Sequence, residues 1–333
     1  MESKPLVSII TPCHNSENYL FRLMDSILSQ TYPNIEMITV DNDSKDKTPD
    51  IIMEYVPKFI EKGYALKYIH QDDLGPSAGI QTGLRHVKGD YLLMPDSDDY
   101  YACSTAIETF VNKFLSLPEE YAIIRSQLIF INEKDMKPMG MAYEHFPEDD
   151  PGTLFEDCLF AKNDYNFAAI NYMVKVSALR ELTGMEIYNT YNIGQQRQIC
   201  LPLYYKYKAW TISKPLVCYL VRESSVSHGE YSKYPTKVLL YKKAPDYIDS
   251  ILSCIPSMPA EKKEEYRRGY LRMRAKDMAI MAINTNHFSD VKTYFDDYKK
   301  NGGDVSPLRH RLIWKYIQYV LGFFCQKNKS TAK

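Results

Sequence analysis

Apolar and polar positions follow two different periods over the first hundred residues. Leu6 to Ile10 is a short apolar, β-branched run, which predicts a strand ending at Thr11-Pro12, where proline withdraws a ladder donor. Asn15-Ser16-Glu17 then reads as a helix start, with Leu20, Leu23, Ile27 and Leu28 behind it at helical spacing. Ile35 to Val40 predicts a second strand, ended by the polar cluster Asp41-Asn42-Asp43-Ser44. Thr48-Pro49 has the form of an N-cap followed by proline at the first helical position, and Ile51, Ile52, Tyr55, Val56, Phe59 and Ile60 make one stripe behind it. A third strand over Leu66 to Ile69, a helix over Ala78 to Val87 and a fourth strand over Tyr91 to Met94 complete the series, which stops at Pro95-Asp96-Ser97-Asp98-Asp99.

Strands separated by helices imply right-handed crossovers and a largely parallel sheet, so the fold class is α/β with helices flanking the sheet. In open α/β sheets, ligands bind beyond the carboxyl ends of the strands. Thr11 to Asn15, Asp41 to Ser44, Gln71 to Ser77 and Asp96 to Asp99 are therefore expected to converge on one crevice. Farther on the patterns mix, with a helix near Ile107 to Leu115, a strand over Tyr121 to Ile131, and Ala209 to Val221 broken by a Lys214-Pro215 turn. From about Pro235 the chain reads as helical, which divides it into residues 1–232 and a helical region over 233–333.

The composition of the 333 residues narrows the partners. Lys plus Arg number 41 against 42 Asp plus Glu, and that balance argues against a surface built to grip nucleic acid. The seven cysteines are scattered with no zinc-knuckle or redox-pair spacing, so they read as reduced thiols in a reducing compartment. No apolar stretch approaches the ~20 residues of a membrane span, and the N-terminal apolar run is too short for a secretory signal. The expected location is the cytoplasm. Tyr is in excess at 28 copies, and most are expected at the edge of the core with the hydroxyl in water.

Asp96-Ser97-Asp98-Asp99 is the strongest chemical signal. Carboxylates crowded at a strand end repel one another, so a cation or extensive hydrogen bonding is needed to hold them ionised. Hard oxygen ligands suit Mg²⁺ or Mn²⁺ shared with substrate phosphates. The plainer reading of such a cluster taken alone is a solvated turn or helix cap.

Its surroundings favour the metal. Leu6 to Pro12, Asn15, and Ser26-Ile27-Leu28-Ser29-Gln30-Thr31-Tyr32 together resemble the opening of family 2 glycosyltransferases of the GT-A type. Val40-Asp41-Asn42-Asp43-Ser44-Lys45-Asp46-Lys47-Thr48 is similar to their V-D-D-G-S-x-D-x-T segment, with Asn42 and Asp43 in place of the usual D-G. Gly75-Pro76-Ser77-Ala78, Gly83-Leu84 and Gly89-Asp90-Tyr91 carry the resemblance into Asp96 to Asp99. It is dense over residues 5–100, looser to about His228, and does not reach the helical tail.

The resemblance implies a GT-A fold and an enzyme that moves a sugar from a nucleotide diphosphate donor to an acceptor hydroxyl, with inversion at the anomeric carbon. The acceptor would be a saccharide or lipid-linked saccharide in polysaccharide or glycolipid assembly. By position, Asp41 meets the nucleobase, Thr11, Pro12 and His14 line the base and ribose pocket, and Asp96 holds the ribose side. Asn15, Asp43, Asp73, Gly75, Ser77 and Ser97 complete the donor-binding set, although turn formation and capping suffice to explain Asp43 and Asp46. Asp98, helped by Asp99, binds the divalent cation, with His228 as a third ligand; a lone His in a polar loop more often has no special role. A cation on the diphosphate suits a leaving group whose oxygens gather charge. Arg222 is placed either on a phosphate or in an ordinary surface ion pair.

The catalytic base breaks the pattern. Inversion needs a carboxylate within about 3 Å of the acceptor hydroxyl, and the family commonly carries an acidic pair at the opening of a helix before the K-P-L segment. The register through Gly194, Leu201 and Lys214-Pro215-Leu216 puts Gln195 and Gln196 there, and an amide is no general base. Asp157, Glu156 or Asp164 is the expected substitute, with Asp157 first and Gln196 marking the position that is usually acidic. A second departure is Ile80-Gln81, where many members have Arg-Asn. These gaps keep open a donor-binding protein with little turnover. A sugar-1-phosphate nucleotidyltransferase is disfavoured because no Gly-rich, Lys/Arg-bearing phosphate loop follows the first strand.

Residues 307–333 carry Arg309, Arg311, Lys315, Lys327, Lys329 and Lys333 with no acidic residue, among Leu312, Ile313, Trp314, Ile317, Tyr319, Val320, Leu321, Phe323 and Phe324. The segment is expected either to lie in an anionic membrane interface, at the inner face of the membrane, or to dock on the protein's own core.

Overall fold

The structure is a computed structural model that describes residues 4–142, 148–149, 154–163, 165, 168–187, 195–222 and 233–330, with side chains to residue 319. Two compact units divide it: residues 1–223 with 253–255, and residues 224–252 with 256–333.

The first unit is built on one sheet of nine strands among the described residues, in the order β3-β2-β1-β4-β8-β6-β9-β5, with β7 paired to β6. Its parallel half comprises β1 (Val7–Cys13), β2 (Ile35–Asn42), β3 (Ala65–Gln71) and β4 (Tyr91–Leu93). Helices α1 (Leu20–Leu28), α2 (Thr48–Glu61) and α3 (Pro76–Leu84) connect these strands. The expected alternation is present, and α1 buries Leu20, Leu23, Met24 and Ile27 on one face.

Three local expectations are corrected. β1 does not stop at Thr11-Pro12 but runs to Cys13, with Pro12 opposite Val40. β4 pairs with β1 only as far as Ile9, so over Pro12 the strand has β2 as its sheet neighbour and the missing donor is tolerated as at a sheet edge. Thr48 does not cap α2 with its hydroxyl. Its Oγ1 accepts the N–H of Ser16 at 2.7 Å, and Asp46 Oδ1 accepts the N–H of Thr48 at 3.0 Å. α3 ends at Leu84 rather than Val87.

The second half of the sheet is mixed. β5 (Tyr100–Tyr101) and α4 (Ala106–Ser116) lead into β6 (Tyr121–Asn132) and β7 (Pro138–Met141). α5 (Phe155–Phe160), β8 (Tyr172–Lys175), α6 (Val176–Thr183), α7 (Gln196–Lys206) and β9 (Lys208–Val221) follow. β8 joins the halves by pairing antiparallel with both β4 and β6. Lys214-Pro215 makes no turn. β9 is continuous and absorbs the proline as an irregularity, its register against β6 shifting between Ser126 and Leu128.

Glycines set how closely α3 lies on the parallel strands. A Cβ at Gly83 would meet Ile10 at 2.4 Å, and one at Gly79 would meet Pro12 at 2.8 Å and Asn42 at 3.1 Å. α3 therefore seats its backbone directly over the carboxyl ends of β1 and β2.

The second unit contains α8 (Tyr234–Ser253), α9 (Ala260–Asn284), α10 (Phe288–Lys300) and α11 (Ser306–Ser330). Its core gathers Met278, Ala282, Ile283, Val291, Tyr294 and Leu308. Tyrosine hydroxyls are spent inside the protein more often than the sequence reading allowed. Tyr234 donates to Asp290 at 2.7 Å, Tyr241 to Asp297 at 2.6 Å, and in the first unit Tyr55 to Asp25 at 2.6 Å and Tyr64 to the Tyr32 carbonyl at 2.6 Å. In the Tyr204-Tyr205-Lys206-Tyr207 run, the Tyr204 and Tyr165 hydroxyls lie 2.9 Å apart, and Tyr205 packs edge-on against Phe155. No described helix is long and apolar enough to cross a membrane. The six described cysteines carry free thiols.

Candidate active site

The four polar strand ends meet. After β1, His14 Nδ1 lies 2.6 Å from the carbonyl oxygen of Asn42 at the end of β2. Asn15 donates its backbone N–H to Ser44 Oγ at 2.9 Å, and its Oδ1 accepts the N–H of Lys45 at 2.8 Å. Ser16 Oγ lies 2.7 Å from Ser97 Oγ, which ties the β1 turn to the Asp96–Asp99 turn after β4. From the end of β3, Gln71 Nε2 donates to Asn42 Oδ1 at 2.8 Å. This is the crevice expected of a parallel sheet whose strands all end in polar turns.

The turn after β2 explains the altered motif. Asp43, where the family pattern has glycine, sits at φ +57°, a left-handed conformation that Asp tolerates better than most residues. Its carboxylate pairs with Lys45 at 2.6 Å, and that hydrogen bond, then the lysine's charge, lower its pKa. Asn15 adopts φ +48° in the facing turn.

The remaining donor-side residues differ in what they can offer a ligand. Asp41 is wholly buried: Oδ1 accepts the Ser44 N–H at 3.1 Å, and Oδ2 lies 3.1 Å from the Tyr68 hydroxyl and 3.3 Å from His70 Nδ1. It organises its own turn, with Tyr68 and His70 beside it. Thr11 is also fully buried, with Oγ1 unpartnered, and Pro12 lies beneath α3, which places both at the floor of the crevice. His14 is exposed at the rim. Asp73 Oδ1 accepts the Gly75 N–H at 3.0 Å, Gly75 precedes α3 at φ +84°, and Ser77 is buried in the first turn of that helix.

The acidic turn after β4 is partly self-satisfied. Desolvation, and next the charge of Asp98, push the Asp96 carboxyl up to about 7, while Arg222 opposes the shift. Asp99 is 1% exposed and its Oδ1 accepts the Leu220 N–H at 3.1 Å, so it anchors β9, while its Oδ2 is buried without a hydrogen-bond partner. Burial and its acidic neighbours push Asp99 well above the ordinary carboxylate range. Asp98 is held by Arg222, which donates from Nε to Oδ2 at 2.7 Å and brings Nη2 within 2.6 Å of the same oxygen. The guanidinium lies 4.3 Å from the Tyr19 ring centroid, and the Tyr19 hydroxyl donates to Glu133 Oε1 at 2.7 Å. The surface ion pair that the sequence allowed for Arg222 is in fact a mostly buried one, made with the residue expected to bind metal. Among the described residues, no three His, Cys, Asp or Glu side chains are already gathered as a metal cage. The oxygen donors of Asp96 and Asp98, with the orphaned Asp99 Oδ2 behind them, nonetheless suit a hard divalent cation that takes its other ligands from a phosphate. His228 lies outside the described residues.

The rival positions for a base, on α5 and α7, are neighbours. Gln195 is buried and Gln196 is half-buried at the start of α7, where Arg197 Nε donates to the Cys158 carbonyl at 3.0 Å on α5. Asp157, the preceding residue on α5, is half-buried and accepts a hydrogen bond from Asn163 Nδ2 at 2.9 Å. Glu156 is exposed and paired with Lys162 at 3.1 Å, and Asp164 lies outside the described residues. Gln81 has a role that the sequence did not signal. Buried in α3, it donates to the Met185 carbonyl at 3.2 Å and accepts from the Ile187 N–H at 2.7 Å, pinning the segment after α6.

Comparisons with known proteins agree with this architecture. The family model for Glycosyl transferase family 2 matches residues 8–182. The chain is 29% identical over 229 residues to Glycosyltransferase GlyA of Streptococcus pneumoniae serotype 4, covering 66% of this chain and 31% of that protein. It is 35% identical over 130 residues to the glycosyltransferase RT0329 of Rickettsia typhi, covering 39% of this chain and 38% of that one. The chain thus spans about a third of the length of these curated relatives. Among solved structures, residues 1–349 of TarS from S. aureus, crystallised with UDP-GlcNAc, share its fold. The TM-score is 0.68 at 17% identity, over 95% of this chain and 92% of that one.

Proposed function

Because the chain belongs to glycosyl transferase family 2, we propose that it transfers a sugar from a nucleotide diphosphate donor to an acceptor hydroxyl, with inversion, using Mn²⁺ or Mg²⁺. The observation that carries the reading is the meeting of four polar strand ends, with the Asp96–Asp99 turn tied to the β1 turn through Ser97 and Ser16. In this reading residues 1–232 are the transferase domain and 233–333 a helical appendage. His14, Asn15, Asp43, Asp73, Gly75, Ser77 and Ser97 surround the donor over a floor of Thr11, Pro12 and Asp41. Asp96 serves the ribose side. Asp98 is the principal protein ligand of the cation, with Asp99 behind it and His228 as a further ligand. The cation supplies charge neutralisation of the departing nucleotide diphosphate. The uridine nucleotides held by TarS in its crystal structures make UDP-sugars the first donors to try. The acceptor is a saccharide or lipid-linked saccharide.

Asp157 is the proposed base. It sits one residue from the carbonyl that α7 holds, so the acid has moved to a neighbouring helix from the position that Gln196 occupies. A second reading, a donor-binding protein with little turnover, is favoured by the two amides Gln195 and Gln196 at that helix start. Donor hydrolysis separates the two. Metal-dependent release of free sugar is expected of the transferase, whereas donor binding with no release supports the second reading.

α11 is proposed to rest on an anionic membrane surface. Leu308 is buried in the core of its own unit and Leu312 packs against it, while Ile313, Trp314, Tyr316, Ile317 and Tyr319 stay exposed beside Arg309 and Arg311. Flotation with anionic liposomes, with and without residues 307–333, tests it; equal binding sinks it.

A further inference from the structure

Arg222 already holds an oxygen of Asp98, the proposed ligand of the cation. Asp98 Oδ2 receives both Nε and Nη2 of Arg222, and the two side chains are only 14% and 19% exposed. Solvent therefore screens this pair weakly, unlike a surface ion pair. The guanidinium is also positioned from its other side, over the face of Tyr19, whose hydroxyl is fixed by Glu133. Arg222 directly follows β9, and Asp99 is bonded to Leu220 two residues earlier, so the strand end and the acidic turn are joined at two points. A divalent cation that takes Asp98 through this oxygen must first displace Arg222.

We propose that Arg222 is the resident counter-cation of Asp98, holding the carboxylate in the metal-free protein and competing with the divalent cation for it. This rests on the reading of Asp98 as the cation's ligand. The competition has a definite sign. Two ligands that exclude one another at a shared site each weaken the other by the same factor. Removing Arg222 thus tightens binding of the bare metal, whereas an arginine that merely braces the site would weaken metal binding when lost. Tyr19 gives the displaced guanidinium a place to remain, so displacement does not require the β9 end to unravel.

The test is isothermal calorimetry of Mn²⁺ alone into the full chain, for wild type, Arg222→Gln, Arg222→Lys and Asp98→Asn, with circular dichroism to confirm folding. The expected result is binding about tenfold tighter for Arg222→Gln, an intermediate gain for Arg222→Lys, and loss of binding for Asp98→Asn. Arg222→Lys retains a cation without the planar fork, so it keeps the test interpretable if Arg222→Gln folds poorly. A second readout is the Nε–H of Arg222 in NMR, identified by its absence from Arg222→Gln, which should shift on adding Mg²⁺. If Mn²⁺ binds wild type, is lost in Asp98→Asn, and binds the Arg222 variants equally or more weakly, the competition is overturned while the metal site stands. If Asp98→Asn binds Mn²⁺ as wild type does, both the competition and the assignment of Asp98 fail.

Discussion

The parallel half of the sheet, residues 7–99 with the turns at its strand ends, and the mixed half, residues 100–222, expose their chemistry differently. In the parallel half every strand ends in a polar turn at the same edge, and the turns are cross-linked by hydrogen bonds to the side chains of His14, Asn15, Ser16 and Gln71. In the mixed half the polar residues near α5 and α7 mostly serve local structure: Asp157 binds Asn163, Glu156 binds Lys162, and Gln195 is buried. One half is organised by topology toward a ligand. In the other, the proposed base is a single residue whose neighbours are brought together by non-local pairing.

If that contrast is right, changes in the parallel half disturb donor handling and those in the mixed half disturb turnover. The largest expected effect is Asp98→Asn, which lowers transfer by about 10²–10³-fold, followed by nucleotide release, together with loss of metal binding. Asp157→Ala comes next, with a fall of about 10²-fold in kcat and unchanged donor affinity by titration. Wild-type rates for both Asp157→Ala and Gln196→Ala would remove both positions from the chemistry. Gly83→Ala tests the scaffold beneath the crevice. Its new methyl would lie 2.4 Å from Ile10, and overpacking of this kind costs about 1–3 kcal/mol, read as a lowered melting temperature. Gln81→Ala leaves the Met185 carbonyl and Ile187 N–H without their partner, a loss of about 1–3 kcal/mol where such groups stay dry. Trp314→Ala is the smallest, within about 0.5 kcal/mol in stability because the side chain is exposed, while binding to anionic vesicles falls.

The same contrast explains what could be read from the sequence. Parallel strands with helical crossovers are spelled out by local periodicity, and turn chemistry at their ends is carried by contiguous residues, so the convergence of Asp41–Ser44 and Asp96–Asp99 was legible. The exceptions were local too: Pro12 continues β1 because β4 has ended beside it, and Asp46 rather than Thr48 satisfies the first N–H of α2. The mixed half was opaque because its elements are short and its partners distant. β8, four residues long, joins two strands that lie far from it in sequence, and Pro215 is absorbed by a bulge instead of a turn. The Asp98–Arg222 pair spans 124 residues of sequence, and no local pattern distinguishes it from a surface contact.

The most direct measurement is a thermal-shift screen of nucleotide diphosphate sugars with and without Mn²⁺. A ligand that binds only the folded protein raises its melting temperature by mass action. One donor class is expected to raise the melting temperature, Mn²⁺ to enlarge the shift, and Asp98→Asn to abolish the enlargement. A uniform absence of any metal-linked shift, with every donor tried, would contradict the assignment of the crevice.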